Sequence, residues 1–283
     1  MAEIPGAADF LAAMAASSRE RVGVARAQLP DVELRARAVD SPVPPPLQLS
    51  ARRFDVIAEV KFRSPAAGKL REGTEDSVMA RVAGYAEAGA VAVSVLTEPS
   101  RFDGSMEHLA TAARALGSRI PAMRKDFLVD PYQVCEARLA GAGGVLLILR
   151  MLDQTLIREM IECASRLKLF ALLEAFDEAD IERAKELVRH YSSVASLLVG
   201  VNCRDLVSLE VVPGRLEELV RALPDTVPRV AESGVATAAD AGRIAIAGYD
   251  VALVGSALMA SLEPHQLVRA MVSAGRTERA RRS

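Results

Sequence analysis

The 283-residue sequence has no tryptophan, three histidines and three cysteines. Each scarcity excludes a class of chemistry. None of His108, His190 and His265 closes a strand-like apolar run. A histidine-based triad or a histidine-rich metal site therefore lacks its ligands. Cys135, Cys163 and Cys203 are odd in number and show no metal-ligand spacing, which fits a reduced, cytoplasmic setting. Cys203 has no histidine to activate it, so it is not a candidate nucleophile. A net charge of −2 leaves no basic footprint for nucleic acid. No uninterrupted apolar stretch is long enough to span a bilayer. Residues 6–16 are small and apolar, but Asp9 interrupts them and no basic segment precedes them, which argues against a signal peptide.

What the chain has is a repeated apolar pattern. About half of the residues are hydrophobic, ample for a core. Strands are expected near 55–60, 91–96, 120–124, 145–149, 169–174, 197–202, 228–232 and 251–254. Helical stretches lie between them, near 75–88, 105–116, 131–140, 153–166, 178–190, 214–222, 237–247 and 256–272. A spacing of roughly 25–35 residues per unit suits a βα repeat. Eight such units close into an α/β fold, the (β/α)8 TIM barrel. The rival, a doubly wound open sheet, needs a glycine-rich turn after its first strand. Lys61-Phe62-Arg63-Ser64-Pro65 stands there instead. Residues 1–50 form a separate N-terminal extension, with amphipathic helical pattern over 7–38 and a stiff Pro-rich linker from Ser41 to Pro46. It is expected to cover the barrel mouth. The barrel is expected over 51–272, and the basic tail 273–283 is expected to fray.

Several of the apolar runs stop at a polar or charged residue. Alternate residues on a strand face the same way, so Glu59 and Lys61 both point inward at the mouth of the first strand. The same parity pairs Met123 with Lys125, Leu172 with Glu174, and Val230 with Glu232. Burying unpaired charge is costly, so these groups are expected to meet one another and a ligand. Arg124 and Lys125 project to opposite faces, so at most one of them lines the pocket. A lysine in a cation-rich, partly desolvated site has its pKa lowered and donates protons near neutrality, and that is the expectation for Lys125. Asn202 offers a donor and an acceptor without charge, Arg204 can clamp a ligand, and Asp205 caps the turn or holds Arg204. Ser233-Gly234 and Gly255-Ser256 close the last two strands. Glycine admits a phosphate to the backbone, and barrels often bind phosphate in these two loops. Phe102 and Phe127 are candidate walls for a flat ring.

Taken in order, these motifs resemble the indole-3-glycerol phosphate synthase family. The matching segments are Ile57 to Lys61 with Ser64-Pro65, Ser94 to Glu98 with Phe102 and Gly104-Ser105, Arg124 to Phe127 with Asp130 to Gln133, Leu173-Glu174, Gly200 to Asn202 with Arg204 to Leu206, Val230 to Gly234, and Leu253 to Ser256. The resemblance covers about residues 8–262. It implies ring closure of 1-(2-carboxyphenylamino)-1-deoxyribulose 5-phosphate with loss of CO2 and water, using no metal and no organic cofactor. It casts Lys125 as the general acid for the ribulose carbonyl. Lys61 becomes the cation near carboxylate and phosphate, with a part in dehydration, and Glu174 the acid/base for losing water. Glu59, Asn202, Arg204, Glu232 and Ser233 would position these groups, with Ser64 beside the substrate. Gly234, Gly255 and Ser256 would hold the phosphate, and Phe102, Phe127 and Leu146 would line the ring pocket. The implied partner is a small phosphosugar, with neither nucleic acid nor membrane, on a monomer or weak homodimer. Arg101 and Cys203 depart from common family residues. They keep open a paralogue acting on a substituted anthranilate, beside another phosphosugar isomerase on the same barrel.

Overall fold

The computed structural model describes residues 7–51, 54–64, 68–70, 74–205 and 207–282. Pro65 and Leu206 of the motifs above lie outside them. Eight strands, β1 (Asp55–Val60), β2 (Ala92–Leu96), β3 (Ala122–Lys125), β4 (Gly144–Ile148), β5 (Phe170–Ala175), β6 (Leu197–Asn202), β7 (Arg229–Glu232) and β8 (Val251–Val254), close into one parallel barrel in chain order. Every neighbouring pair is parallel, including β1 with β8. Both faces of a strand in such a barrel are covered, which is why the strand sequences read as solid apolar runs rather than alternating ones. Inward residues Ile57, Ala92, Met123, Leu146, Leu172, Leu198, Val230 and Val251 fill the lumen. The outward ones join a larger layer beneath the helices. Gly144 lacks a side chain because Phe170 needs the room: a Cβ there would lie 2.3 Å from the Phe170 ring.

The extension carries α1 (Ala7–Gln28) and α2 (Asp31–Asp40). The barrel helices are α3 (Glu75–Glu87), α4 (Met106–Leu116), α5 (Pro131–Leu139), α6 (Gln154–Arg166), α7 (Glu178–Tyr191), α8 (Arg215–Leu219), α9 (Ala238–Ala247), α10 (Ser256–Ala260) and α11 (Pro264–Arg282). Six of them start on a side-chain cap. Thr74, Ser105, Asp130, Asp153, Asp177 and Thr237 each accept a first-turn backbone N–H. A cap of this kind stabilises a helix by about 1 kcal/mol. It also fixes where each loop ends and the helix begins, and so fixes the rim.

Three expectations need correction. The tail does not fray over its described part, because α11 runs on to Arg282. Its basic residues dock it: Arg276 reaches Asp55 at 2.7 Å and Arg279 reaches Asp250 at 2.8 Å. Gly275 leaves space for the Phe54 ring. The stretch expected as one helix over 256–272 is broken after Ala260, and α11 opens on Pro264, a favoured first helical residue. The extension does not sit wholly over the mouth. Helix α1 places Leu11 and Met14 in the lumen cluster. The linker instead runs to the amino end of the barrel. There Arg138 donates to Ser41 O and Pro42 O, Ser50 N donates to Asp55, and Leu47 and Leu49 pack against the lumen residues.

Candidate active site

The carboxyl ends of the strands surround a cavity of about 330 Å³. Every candidate named from the sequence lines it: Glu59, Lys61, Ser64, Phe102, Lys125, Phe127, Leu146, Glu174, Asn202, Arg204, Glu232, Ser233, Gly234, Gly255 and Ser256. Strand register explains the convergence. It sets Leu96 beside Lys125, Ile148 beside Glu174, and Asn202 beside Glu232. Each of these residues lies at or next to the carboxyl end of its strand.

The floor is ionic. Lys125 Nζ lies 3.1 Å from Glu174 Oε2 and 2.9 Å from Glu232 Oε2. Lys61 Nζ lies 2.8 Å from Glu59 Oε1. The carboxylates are buried, Glu232 with 1% of its side chain exposed, while the two lysines are only slightly more open. Two glycines make this crowding sterically feasible. A Cβ on Gly200 would meet Glu232 Oε1 at 2.4 Å, and one on Gly255 would meet Glu59 Oε1 at 2.0 Å. Gly255 thus admits a carboxylate as well as exposing backbone.

The charges act on one another, and here the expectation for Lys125 is reversed. Burial alone would lower its pKa. The carboxylates of Glu174, Glu232 and Glu59 outweigh burial and raise it above the ordinary lysine range. The cation-rich surroundings expected from the sequence are in fact carboxylate-rich. Glu232 moves the other way from an ordinary glutamate in a salt bridge. Burial pushes its pKa well up, Lys125 opposes this, and Glu174 adds to it. Glu232 Oε1 has no hydrogen-bond partner among the described residues.

A second polar cluster sits beside the floor. Ser233 Oγ donates to Asn202 Oδ1 at 2.9 Å, and Arg204 N donates to the same oxygen at 3.0 Å. Arg204 itself is turned into its own loop. Its guanidinium donates to Leu209 O, and Arg215 donates to Arg204 O. Asp205 caps the turn through Val207 N and Ser208 N and does not hold Arg204. Ser233 and Gly234 both adopt left-handed backbone, φ 66° and 70°, a conformation costly for serine and often kept at functional sites.

The two glycine loops are unequal. Helix α9 is closed by a reciprocal pair, Thr237 capping Asp240 N while Asp240 accepts from Thr237 N and Ala236 N. Helix α10 begins directly after Gly255 with no side-chain cap. Its first-turn N–H groups are left for another acceptor, which suits an anion.

The opposite wall is apolar. Phe102 and Phe127 line it with centroids 6.1 Å apart, and Leu146 joins them. Residues not singled out from the sequence as site residues complete it: Phe10 and Leu11 from α1, Leu96, Ile148 and Phe176. Phe10 meets Phe127 edge-on at 5.9 Å. Phe176 is backed by the Arg150 guanidinium, 4.6 Å from its ring centre. Ile148 and Phe176 each follow an identified residue, Leu146 and Glu174, by two, so strand parity was a signal for both. No local pattern marked Phe10 or Leu11. Arg124, as expected, points away from the lumen, into Thr97, Asp126, Glu136 and Gln133 O.

Among the described residues, no helix is long and apolar enough to cross a membrane. The chain is similar to solved barrels of low identity. These include 3-hexulose-6-phosphate synthase from Salmonella typhimurium (TM-score 0.60, 13% identity, 80% of this chain and all of that one). Thiamine phosphate pyrophosphorylase from Pyrococcus furiosus is another (TM-score 0.57, 16% identity, 80% and 97% covered). Likeness at that level shows the fold alone. Sequence relatives reach further. The chain is 40% identical over 245 residues to indole-3-glycerol phosphate synthase of Mycobacterium ulcerans, covering 86% of each. It is 40% identical over 251 residues to the same-named protein of Mycolicibacterium smegmatis, covering 87% of each. With that of a Parafrankia species it shares 42% over 227 residues, covering 80% and 81%. The family model described as indole-3-glycerol phosphate synthase matches residues 11–271. On that match and those relatives, the chain belongs to the indole-3-glycerol phosphate synthase family.

Proposed function

We propose that the protein converts 1-(2-carboxyphenylamino)-1-deoxyribulose 5-phosphate into indole-3-glycerol phosphate, CO2 and water. One observation carries the assignment of roles: the Lys125 ammonium between two buried carboxylates, at 3.1 and 2.9 Å, on the floor of a cavity with one apolar wall. The apolar wall suits the phenyl ring. A simple sugar-phosphate isomerase would have no use for it. The uncapped start of α10, with Gly234, Gly255 and Ser256, suits the phosphate.

The chemistry follows from the residue types. The ring carbon bearing the carboxylate attacks the ribulose carbonyl, and Lys125 protonates the oxygen as it becomes an alkoxide. A developing alkoxide is basic enough to take a proton even from a stabilised ammonium. Cleavage of the bond to the carboxylate releases CO2 and restores the aromatic ring, which requires holding rather than further acid. The new hydroxyl then leaves as water on a proton from Lys61, and Glu174 takes the proton from the carbon next to nitrogen. Two protons are given and one is recovered, so one enters from solvent per turnover, matching the carboxylate lost. Glu59 holds Lys61 in place through their 2.8 Å ion pair. Glu232, Asn202 and Ser233 orient the floor and the sugar hydroxyls, and Ser64 and Arg204 stand at the edge of the same cavity. The setting assigned is the cytoplasm, which fits three cysteines that are all free and buried.

The test is direct. Purified protein is mixed with the carboxyphenylamino substrate and indole fluorescence is followed. Turnover is expected, and a flat trace at high enzyme concentration would sink the proposal.

A further inference from the structure

Helix α1 crosses the mouth and is held there by polar contacts to the segment that follows β3. Arg21 forms a bidentate pair with Asp126, both contacts at 2.8 Å. Gln133 donates to Ser18 at 2.8 Å, Tyr132 donates to Leu29 O at 2.8 Å, and Arg26 pairs with Asp130 at 3.0 Å. One of these contacts reaches the chemistry. Asp126 is the next residue after Lys125, and none of its side chain is exposed. It also accepts from Thr97 Oγ1 at 2.8 Å, Phe127 N at 2.8 Å and Arg124 at 3.2 Å. Thr97 N in turn donates to the Lys125 carbonyl at 3.0 Å. A continuous path therefore runs from Arg21 through Asp126 and Thr97 to the backbone of Lys125.

We propose that Arg21 is a positioning residue for the reaction: through Asp126 and Thr97 it sets the direction in which β3 presents the Lys125 ammonium to Glu174, Glu232 and the substrate. The proposal rests on Lys125 being the proton donor. The geometric margin is small. Nζ sits at hydrogen-bond distance from both carboxylates, and a displacement of about 1 Å can cost a hundredfold in rate. Arginine suits the task because its planar fork grips both carboxylate oxygens and cannot lose its proton.

The charged groups around Lys125 are Glu59 from β1, Glu174 from β5 and Glu232 from β7, with Lys61, just past β1, paired to Glu59 in the same cavity. If the strap fails, the ammonium moves off Glu174 and Glu232 and loses the charges that hold its proton. The base limb of kcat then falls.

The experiment compares Arg21→Gln, Arg21→Lys, Arg26→Gln and Lys125→Ala across pH, with thermal unfolding checked for each. Arg26 ties the same helix to Asp130 and Asp31 but does not touch Asp126, so its variant reports on docking of α1 alone. For Arg21→Gln the expected result is a kcat at least about tenfold lower, with KM changed less. Its base limb should shift down, toward the ordinary lysine range. Arg21→Lys should recover part of both effects, and it gives the answer if Arg21→Gln does not fold. Arg26→Gln should raise KM at most a few-fold and leave the limb in place. Wild-type kcat and limb in folded Arg21→Gln would overturn the strap, as would equal behaviour of the Arg21 and Arg26 variants. Turnover by Lys125→Ala would overturn the underlying role of Lys125 whatever the arginine variants do, so the two failures are distinguishable.

Discussion

The two ends of this barrel use charge differently. At the amino end, a buried and a half-buried carboxylate are met by arginines from distant elements. Asp55 is held by Arg276, Asp250 by Arg279, and Arg138 clamps the carbonyls of Ser41 and Pro42. Each pair joins two elements, and a guanidinium keeps its proton throughout. At the carboxyl end the floor cations are lysines, crowded among three glutamates, with one glutamate oxygen left without a partner among the described residues. Lysine and glutamate can exchange protons. The amino end is built to stay as it is, and the mouth is built to change protonation state. Arg124 and Lys125 show the same division within two adjacent residues, one turned outward into a fixed network and the other inward to the cavity.

The comparison predicts that charge removal at the mouth costs rate, while charge removal at the base costs stability. Lys125→Ala should give the largest effect, a loss of about 1,000-fold or more in kcat/KM, with the thermal unfolding midpoint little changed because truncation opens Glu174 and Glu232 to the water of the cavity. Glu174→Gln should follow at about 100-fold. Steady-state indole fluorescence beside thermal unfolding reads both quantities. A large loss of stability in either variant would erase the contrast between the two ends.

Much of this division was legible in the letters. Solid apolar runs marked the eight strands, and counting by two from an apolar residue put Lys125, Glu174 and Glu232 on the inner face. What the letters hid were contacts between distant segments. Asp55 and Arg276 lie 221 positions apart, so a basic tail that looked free to fray is a docked helix. Phe10 and Leu11 joined the ring wall because α1 folds back across the mouth, which no local period encodes. The direction of the Lys125 shift was missed for a related reason. Counting cations near one motif does not reveal three carboxylates arriving from β1, β5 and β7.

At the base, Arg276→Ala takes the guanidinium from the buried Asp55 carboxylate, which keeps the Ser50 amide. It should destabilise the fold by about 3 kcal/mol, with kcat per folded molecule unchanged. Denaturant unfolding paired with active-site titration separates the two. A fall in kcat per folded molecule would mean that the ends are coupled.

A smaller effect, of about 2 kcal/mol, belongs to Asp126 and depends on pH. Burial alone would raise its pKa, but Arg21, Arg124 and Thr97 hold it down to about 2 from an ordinary 3.8. With the folded value below the unfolded one, the contribution is fully present above about pH 4 and is lost as pH falls toward 2. Acid titration of unfolding free energy should show that slope in the native protein, and Asp126→Asn should flatten it.

The smallest predicted effect tests the asymmetry between the two glycine loops. Thr237 caps α9, whereas α10 starts uncapped beside Gly255. Thr237→Ala should therefore cost about 1 kcal/mol of stability and leave KM unchanged, because that cap serves the helix and not the substrate phosphate. If α9 instead contributes its N-terminus to phosphate binding, KM for the substrate and the inhibition constant of inorganic phosphate would both shift in the variant. The anion would then draw on the start of α9 as well as on Gly234 and the start of α10.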